Sequence, residues 1–225
     1  MAELGIPPRT PTQYNLLVPF QQAIANLFPE CPVNDDNQLI IPHGLAETII
    51  LRRHGLQVPA PMLTQYRFTG QRTPFQVQKV TCEMLSTNQR AYVLSGMGVG
   101  KTACPLWTFD FLRQTKQATR MLVACPLSTM DFVWRREMFE VQSPYSAVIL
   151  HGTKKRRLAR LEEEHDIYII NHDGIETIFD DLMARTDIDV LTIDEIAVFR
   201  NKCNRTDTLR NFVQGGPKFA RGPIK

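Results

Sequence analysis

The stretch Ser95-Gly96-Met97-Gly98-Val99-Gly100-Lys101-Thr102 sets glycines at alternate positions before a lysine and a threonine, a combination suited to phosphate. Phosphate oxygens are held best by backbone N–H groups that converge on them with no Cβ in the way. Gly96, Gly98 and Gly100 allow that approach, and a helix starting at Thr102 would add the positive end of its dipole. Lys101 would bring a point charge to the β- and γ-phosphates, and the Thr102 hydroxyl would bind Mg2+. Ser95 stands where the strict pattern has glycine, so only the Gly-x-Gly-Lys-Thr part is kept. The chemistry implied is binding of a nucleoside triphosphate, read as ATP with magnesium.

Such a site also needs a carboxylate at the end of a neighbouring strand. Val190-Leu191-Thr192-Ile193-Asp194-Glu195 is an apolar run ending in two acids, 92 residues after Thr102. Asp194 would hold the metal through its water shell, and Glu195 would orient and deprotonate an attacking water. An acid pair after a strand otherwise serves to cap a helix; the phosphate loop favours the metal. Two further stretches fit. Gln76, in Thr73-Pro74-Phe75-Gln76, precedes Lys101 by 25 residues and offers donor and acceptor together, which suits an adenine edge. In a first helical turn it could equally be solvated. Cys125-Pro126-Leu127-Ser128-Thr129 follows a strand and opens a helix, so Ser128 and Thr129 could hold a nucleic-acid phosphate or simply cap that helix.

These groups need elements to position them. From about Gln71 onward, short apolar runs (Ala91–Leu94, Met121–Ala124, Ala147–Leu150, Ile167–Ile170, Val190–Ile193) alternate with helical stretches (Thr102–Gln114, Met130–Val141, Thr153–Glu164, Gly174–Arg185). Continuous rather than alternating apolar runs suit strands buried on both faces. The pattern predicts an α/β fold, a parallel sheet flanked by helices, with ligands outside the carboxyl ends of the strands. Residues 1–66 differ: they are rich in proline, with short helical patterns near Gln21–Leu27 and Leu45–His54, the latter stopped by Gly55. We read them as a small N-terminal module and residues 67–225 as the nucleotide-binding domain.

At 225 residues and 43% hydrophobic, the chain can bury a real core. Its net charge of +3 does not announce a polyanion partner. However, Phe199–Lys225 alone carries seven basic residues and one acid, a net +6. That stretch is either a surface for nucleic acid or a solvated face. The five cysteines are scattered with no metal-ligand spacing, which reads as reduced thiols of a cytoplasmic protein. No apolar stretch approaches the roughly 20 residues that span a bilayer, so no membrane partner is expected.

Taken together, the motifs resemble the first motor domain of a helicase superfamily-two ATPase, DEAD/DEAH-like in type and specifically Swi/Snf-like. Pro74-Phe75-Gln76 resembles the adenine-reading glutamine motif, and Met97–Thr102 the Met-Gly-x-Gly-Lys-Thr loop. Cys125–Thr129 with Trp134 and Glu137 resembles the segment that touches DNA backbone, and His151-Gly152 the His-Gly after the third strand. Asp194-Glu195-Ile196-Ala197 with Phe199-Arg200-Asn201-Lys202 is similar to Asp-Glu-Ala-His and its trailing Lys-Asn. Ala197 replaces the usual histidine, and Asn171-His172 stands where many members have Thr-Tyr.

The resemblance implies a RecA-like fold and an ATP-dependent motor acting on double-stranded or branched DNA rather than RNA. It further implies contacts to that DNA from Ser128, Thr129, His151 and Gly152. The N-terminal module resembles that of phage-encoded members; a cytoplasmic location is expected, the host's cytoplasm if the protein is phage-encoded. The family's next motif, Thr-Gly-Thr, is not found before Lys225, and a second RecA-like domain with its arginine finger would be needed in cis or trans. The expectation is therefore a fragment, a truncated product or half of a split protein, binding nucleotide with little turnover by itself. Two rival readings are a non-translocating P-loop ATPase or small-molecule kinase, and a nucleic-acid-binding fragment without turnover.

Overall fold

The computed structural model describes residues 14–96, 98–199, 206–208 and 210–211. Met97, the Arg200-Asn201-Lys202 stretch, and most of the basic segment after Phe199 lie outside the described residues.

Four strands form the central sheet: β3 (Arg120–Cys125), β4 (Ala147–Leu150), β5 (Ile167–Asn171) and β6 (Ile188–Ile193), in the order β4-β5-β3-β6. All pairings are parallel, with Val123 opposite both Ile169 and Thr192. The side chains of β3 alternate between two cores. Met121, Val123 and Cys125 join one cluster with α5 (Ala103–Gln114) and α6 (Phe132–Glu140). Leu122 and Ala124 join another with α7 (Lys154–Glu162), α8 (His172–Thr177) and α9 (Phe179–Ala184). Helices thus cover both faces, which is why the strands read as unbroken apolar runs. Each buried branched side chain here contributes about 1.5–3 kcal/mol.

Two expectations need correction. Ala91–Leu94 forms no strand of the sheet. Tyr92 and Leu94 are 72% and 92% exposed, and β6, apart from β3, has no strand partner among the described residues. An apolar run marks a chain that favours burial, but a strand also needs a neighbouring backbone to pair with. The helix expected over Gly174–Arg185 is broken at Ile178, whose φ of −128° and ψ of 34° leave the helical region. That residue is fully buried, so core packing of a β-branched side chain outweighs helix continuity.

Ahead of the sheet, β1 (Asn15–Pro19) pairs antiparallel with β2 (Gln38–Pro42), beside the short helix α1 (Gln22–Ala25). Val18, Ile24, Leu39, Ile41 and Leu51 make their small core. Helix α2 (Leu45–Arg53) ends at Gly55, which takes a left-handed φ of +84°, the conformation expected of a helix stop. This unit packs on the larger domain. Arg52 of α2 forms an ion pair with Glu83 on α4 (Gln76–Thr87), while Leu45, Met62 on α3 (Pro61–Thr64) and Tyr66 belong to the main core.

Tyr66 reaches further. Its hydroxyl donates to Asp110 Oδ2 at 2.6 Å, and Tyr145 donates to Oδ1 of the same carboxylate at 2.8 Å. Asp110 is buried in α5. Burial first, and then the Asp110 charge, pushes both phenol pKa values far up, so both hydroxyls stay protonated donors. Replacing Asp110 with Ala strips the buried Tyr66 and the half-buried Tyr145 hydroxyls of their acceptor and lowers stability by about 2–3 kcal/mol. Arg135→Ala, at the exposed Arg135–Asp131 pair, changes it by less than about 0.5 kcal/mol. Urea unfolding followed by circular dichroism checks both.

Candidate nucleotide site

Because the strands are parallel, their carboxyl ends share one edge, and the loops that follow them gather there. Asp194 continues β6 by one bond, its N–H donating to Ala124 O at 2.8 Å. Glu195 is exposed and takes a φ of +54°, a left-handed conformation uncommon for a side chain of its size. The turn it makes leads into a 3-10 helix, Ile196–Phe199, with Val198 N–H donating to Glu195 O at 3.2 Å. The acids lie close to the end of β3. Burial raises the Cys125 thiol to about 11; a hydrogen bond with Thr129 opposes this, and the charges of Asp194 and Glu195 add to it.

His172 is a participant that the sequence did not assign to this corner. It is buried, its Nε2 lies 2.9 Å from Asp194 O, and its ring meets Phe199 edge-on at 5.0 Å between centroids. The register that places Asn171 opposite Cys125, and Ile193 opposite Ala124, brings it level with the acid pair. Only the strand order reveals this.

On the same edge, Ser128 is exposed and Thr129 half-buried. The Thr129 hydroxyl donates to Pro126 O at 3.0 Å, and the cap position of α6 is Asp131, with no side-chain cap bond. Neither Ser128 nor Thr129 therefore caps that helix. Trp134 is a core residue, 1% exposed, and Glu137 is half-buried 3.7 Å from Arg72. His151 and Gly152 are exposed after β4, with Gly152 at a φ of +105°. Lys154, Lys155 and Arg156 follow as an exposed cationic turn at the start of α7.

The glycine loop lies between Ser95 and α5. Gly98 and Gly100 take φ values of +79° and +68°, so both occupy a backbone region that side chains rarely adopt. Gly96 is exposed and Val99 half-buried, while Thr102 occupies the cap position of α5. Lys101 Nζ donates to Ser95 O at 2.9 Å, folding the lysine across the loop. Among the described residues no hydrogen bond or ion pair joins Lys101 or Thr102 to the acid pair. Gln76 faces solvent at the first position of α4, beside a cleft of about 310 Å³ that includes Phe68, Arg72, Pro74 and Lys79. Two residues on, Gln78 is buried and bonded to the loop itself, an arrangement that the motif spacing did not indicate.

A divalent cation bound with a triphosphate usually takes one or two protein oxygens and completes its shell with phosphate and water. The Thr102 hydroxyl and the Asp194 carboxylate are of that hard-oxygen type.

No curated protein matches the chain. Among solved structures, the SWI2/SNF2 ATPase core of Sulfolobus solfataricus, determined in complex with dsDNA, is similar with a TM-score of 0.50 and 17% identity. The match covers 64% of this chain and 31% of that one, so the chain spans about a third of that ATPase core. At this identity the likeness is one of fold, the RecA-like α/β arrangement of a parallel sheet between helices. A family model described as SNF2-related domain matches residues 76–214, from the first turn of α4 past the acid pair. The chain therefore belongs to the SNF2-related domain family.

Proposed function

We propose that this chain is the ATP-binding half of an ATP-dependent motor that moves along double-stranded or branched DNA. The observation that carries the reading is the glycine loop: Gly98 and Gly100 in left-handed conformations directly before Lys101, Thr102 and the start of α5. That backbone suits a triphosphate. ATP binds there with Mg2+, held by Thr102 and Asp194, while Glu195 orients the attacking water. Gln76, exposed at the first position of α4, reads the adenine edge. Ser128, Thr129, His151 and Gly152, with Lys154, Lys155 and Arg156 next to them, contact the DNA backbone.

Turnover and movement need a second RecA-like domain, in cis or in trans, to close over the nucleotide and stabilise transition-state charge. The free thiols Cys31, Cys82, Cys104 and Cys125 are in keeping with work in the cytoplasm. SNF2-family membership and the likeness of fold to an ATPase core solved with dsDNA support the reading.

Equilibrium binding of a fluorescent ATP analogue with magnesium tests it. The wild type binds in the micromolar range, Lys101→Ala weakens binding at least about a hundredfold, and Glu195→Gln leaves it within about threefold. Gln76→Ala removes the preference for adenine over guanine. A folded wild type that fails to bind, or a Lys101→Ala variant that binds equally well, would overturn the proposal. The DNA contact has its own check. A labelled duplex binds with an affinity that falls steeply as salt rises, and Lys154→Ala with Lys155→Ala lowers the slope of log K against log salt by about 2. A slope unchanged by that pair places the DNA elsewhere.

A further inference from the structure

Gln78 lies third in α4, and unlike Gln76 and Val77 it is buried, 7% exposed. Both ends of its amide are engaged. The Phe75 N–H, an orphan donor at the start of the helix, donates to Oε1 at 2.8 Å. The Nε2 group donates to Val99 O at 3.1 Å and to Gly100 O at 3.2 Å. One side chain therefore ties the first turn of α4 to two consecutive carbonyls of the phosphate loop.

The chemistry of the loop gives this tie its meaning. A backbone that turns its N–H groups toward a phosphate turns carbonyls the other way, into the protein, where each needs a donor. Gln78 is that donor for Val99 and Gly100. The fit is close: a Cβ on Gly100 would lie 2.3 Å from Gln78 Nε2. Glycine suits position 100 by its φ of +68°, and any Cβ there would push the Gln78 amide off the loop carbonyls. Beneath, the Cys104 Sγ lies 3.9 Å from both Gln78 O and Gly100 O, and the Cys82 Sγ 3.6 Å from Cys104 O. The starts of α4 and α5 and the loop between them form one packed unit.

We infer that Gln78 is a positioning residue that locks the phosphate loop in its triphosphate-accepting conformation. It acts through the Val99 and Gly100 carbonyls, without touching the nucleotide. Its amide is fully used on backbone, so it leaves the base edge to Gln76 and links that end of α4 to the grip on the phosphates. The inference rests on the nucleotide reading above, but the clamp is a property of the loop and can be measured with no nucleotide present.

The test uses the full chain in four forms: wild type, Gln78→Leu, Gln78→Glu and Lys101→Ala. Amide exchange at the base of the loop, at Ala103 and Cys104, whose N–H groups donate to Gly100 O and Lys101 O, is at least about tenfold faster in Gln78→Leu than in wild type with no nucleotide, while α5 beyond its first turn is unchanged. Loop amides as protected as in wild type would overturn the clamp. Affinity for the fluorescent ATP analogue falls about tenfold in Gln78→Leu at every pH. Glutamate keeps the acceptor for Phe75 N–H and loses the donors, but regains one donor when protonated. The Gln78→Glu deficit is therefore large at pH 8.5 and shrinks toward pH 6, with wild type at each pH as the reference. A deficit equal at both pH values, or one accounted for by the unfolded fraction measured by thermal melting, would reduce Gln78 to a packing residue and overturn its positioning role. Failure of the wild type to bind, with loop exchange still faster in Gln78→Leu, would sink the nucleotide reading and leave the clamp. Lys101→Ala, losing affinity while Ala103 and Cys104 exchange as in wild type, separates grip from position.

Discussion

Parallel pairing constrains this molecule more than any other single feature. Parallel strands put every carboxyl end on the same side, so the chain must return through a helix after each one. Strand β3 anchors the arrangement, paired with β5 on one side and β6 on the other, with Met121 to Cys125 all fully buried. With β3 fixed, Cys125–Thr129, Asn171-His172 and Asp194-Glu195 have to emerge together. The proximity of the acids to Cys125 and of His172 to the Asp194 carbonyl follows from register rather than from affinity between the side chains. Where the family's usual histidine is replaced by Ala197, His172, from the end of β5 two strands away, lies against the backbone at this corner.

The glycine loop is subject to a different constraint, the two-sidedness of a peptide. Each amide turned outward to a ligand obliges a carbonyl to find a partner inside. Here Ser95 O takes the Lys101 ammonium, and the Val99 and Gly100 carbonyls take the Gln78 amide. The loop is therefore braced from behind by its neighbours as well as by its own glycines.

Much of this was legible in the sequence. The runs that became β3, β4, β5 and β6 are continuous and apolar because both faces of the sheet are covered, and covered strands leave an unambiguous trace. The glycine loop was legible because its positive φ angles leave few residue types to choose from. What stayed hidden depends on partners far along the chain. Ala91–Leu94 carries a strand-like composition, but pairing is a property of two segments and its partner could not be read from one. Ile178 breaks a helix because of what it packs against. Gln76 and Gln78 are the same residue type two positions apart, and only the packing of α4 on α5 buries one and exposes the other.

The least legible feature joins the two parts of the chain. Tyr66 follows the proline-rich N-terminal region, and Asp110 lies on the helix that begins at the glycine loop. A buried carboxylate accepting two phenol protons is stable only while both donors remain, since losing either leaves charge facing an apolar core. The Tyr145 bond holds Asp110 on the sheet side, so the Tyr66 bond cannot lengthen without exposing that charge. Helix α5 is thus tied at its start through the loop to Gln78 and at its middle through Asp110 to the end of the N-terminal unit. Any displacement of α5 relative to the sheet would have to carry α4 and Tyr66 with it or break buried polar bonds. The N-terminal unit is therefore mechanically part of the larger α/β domain, whatever else it contacts.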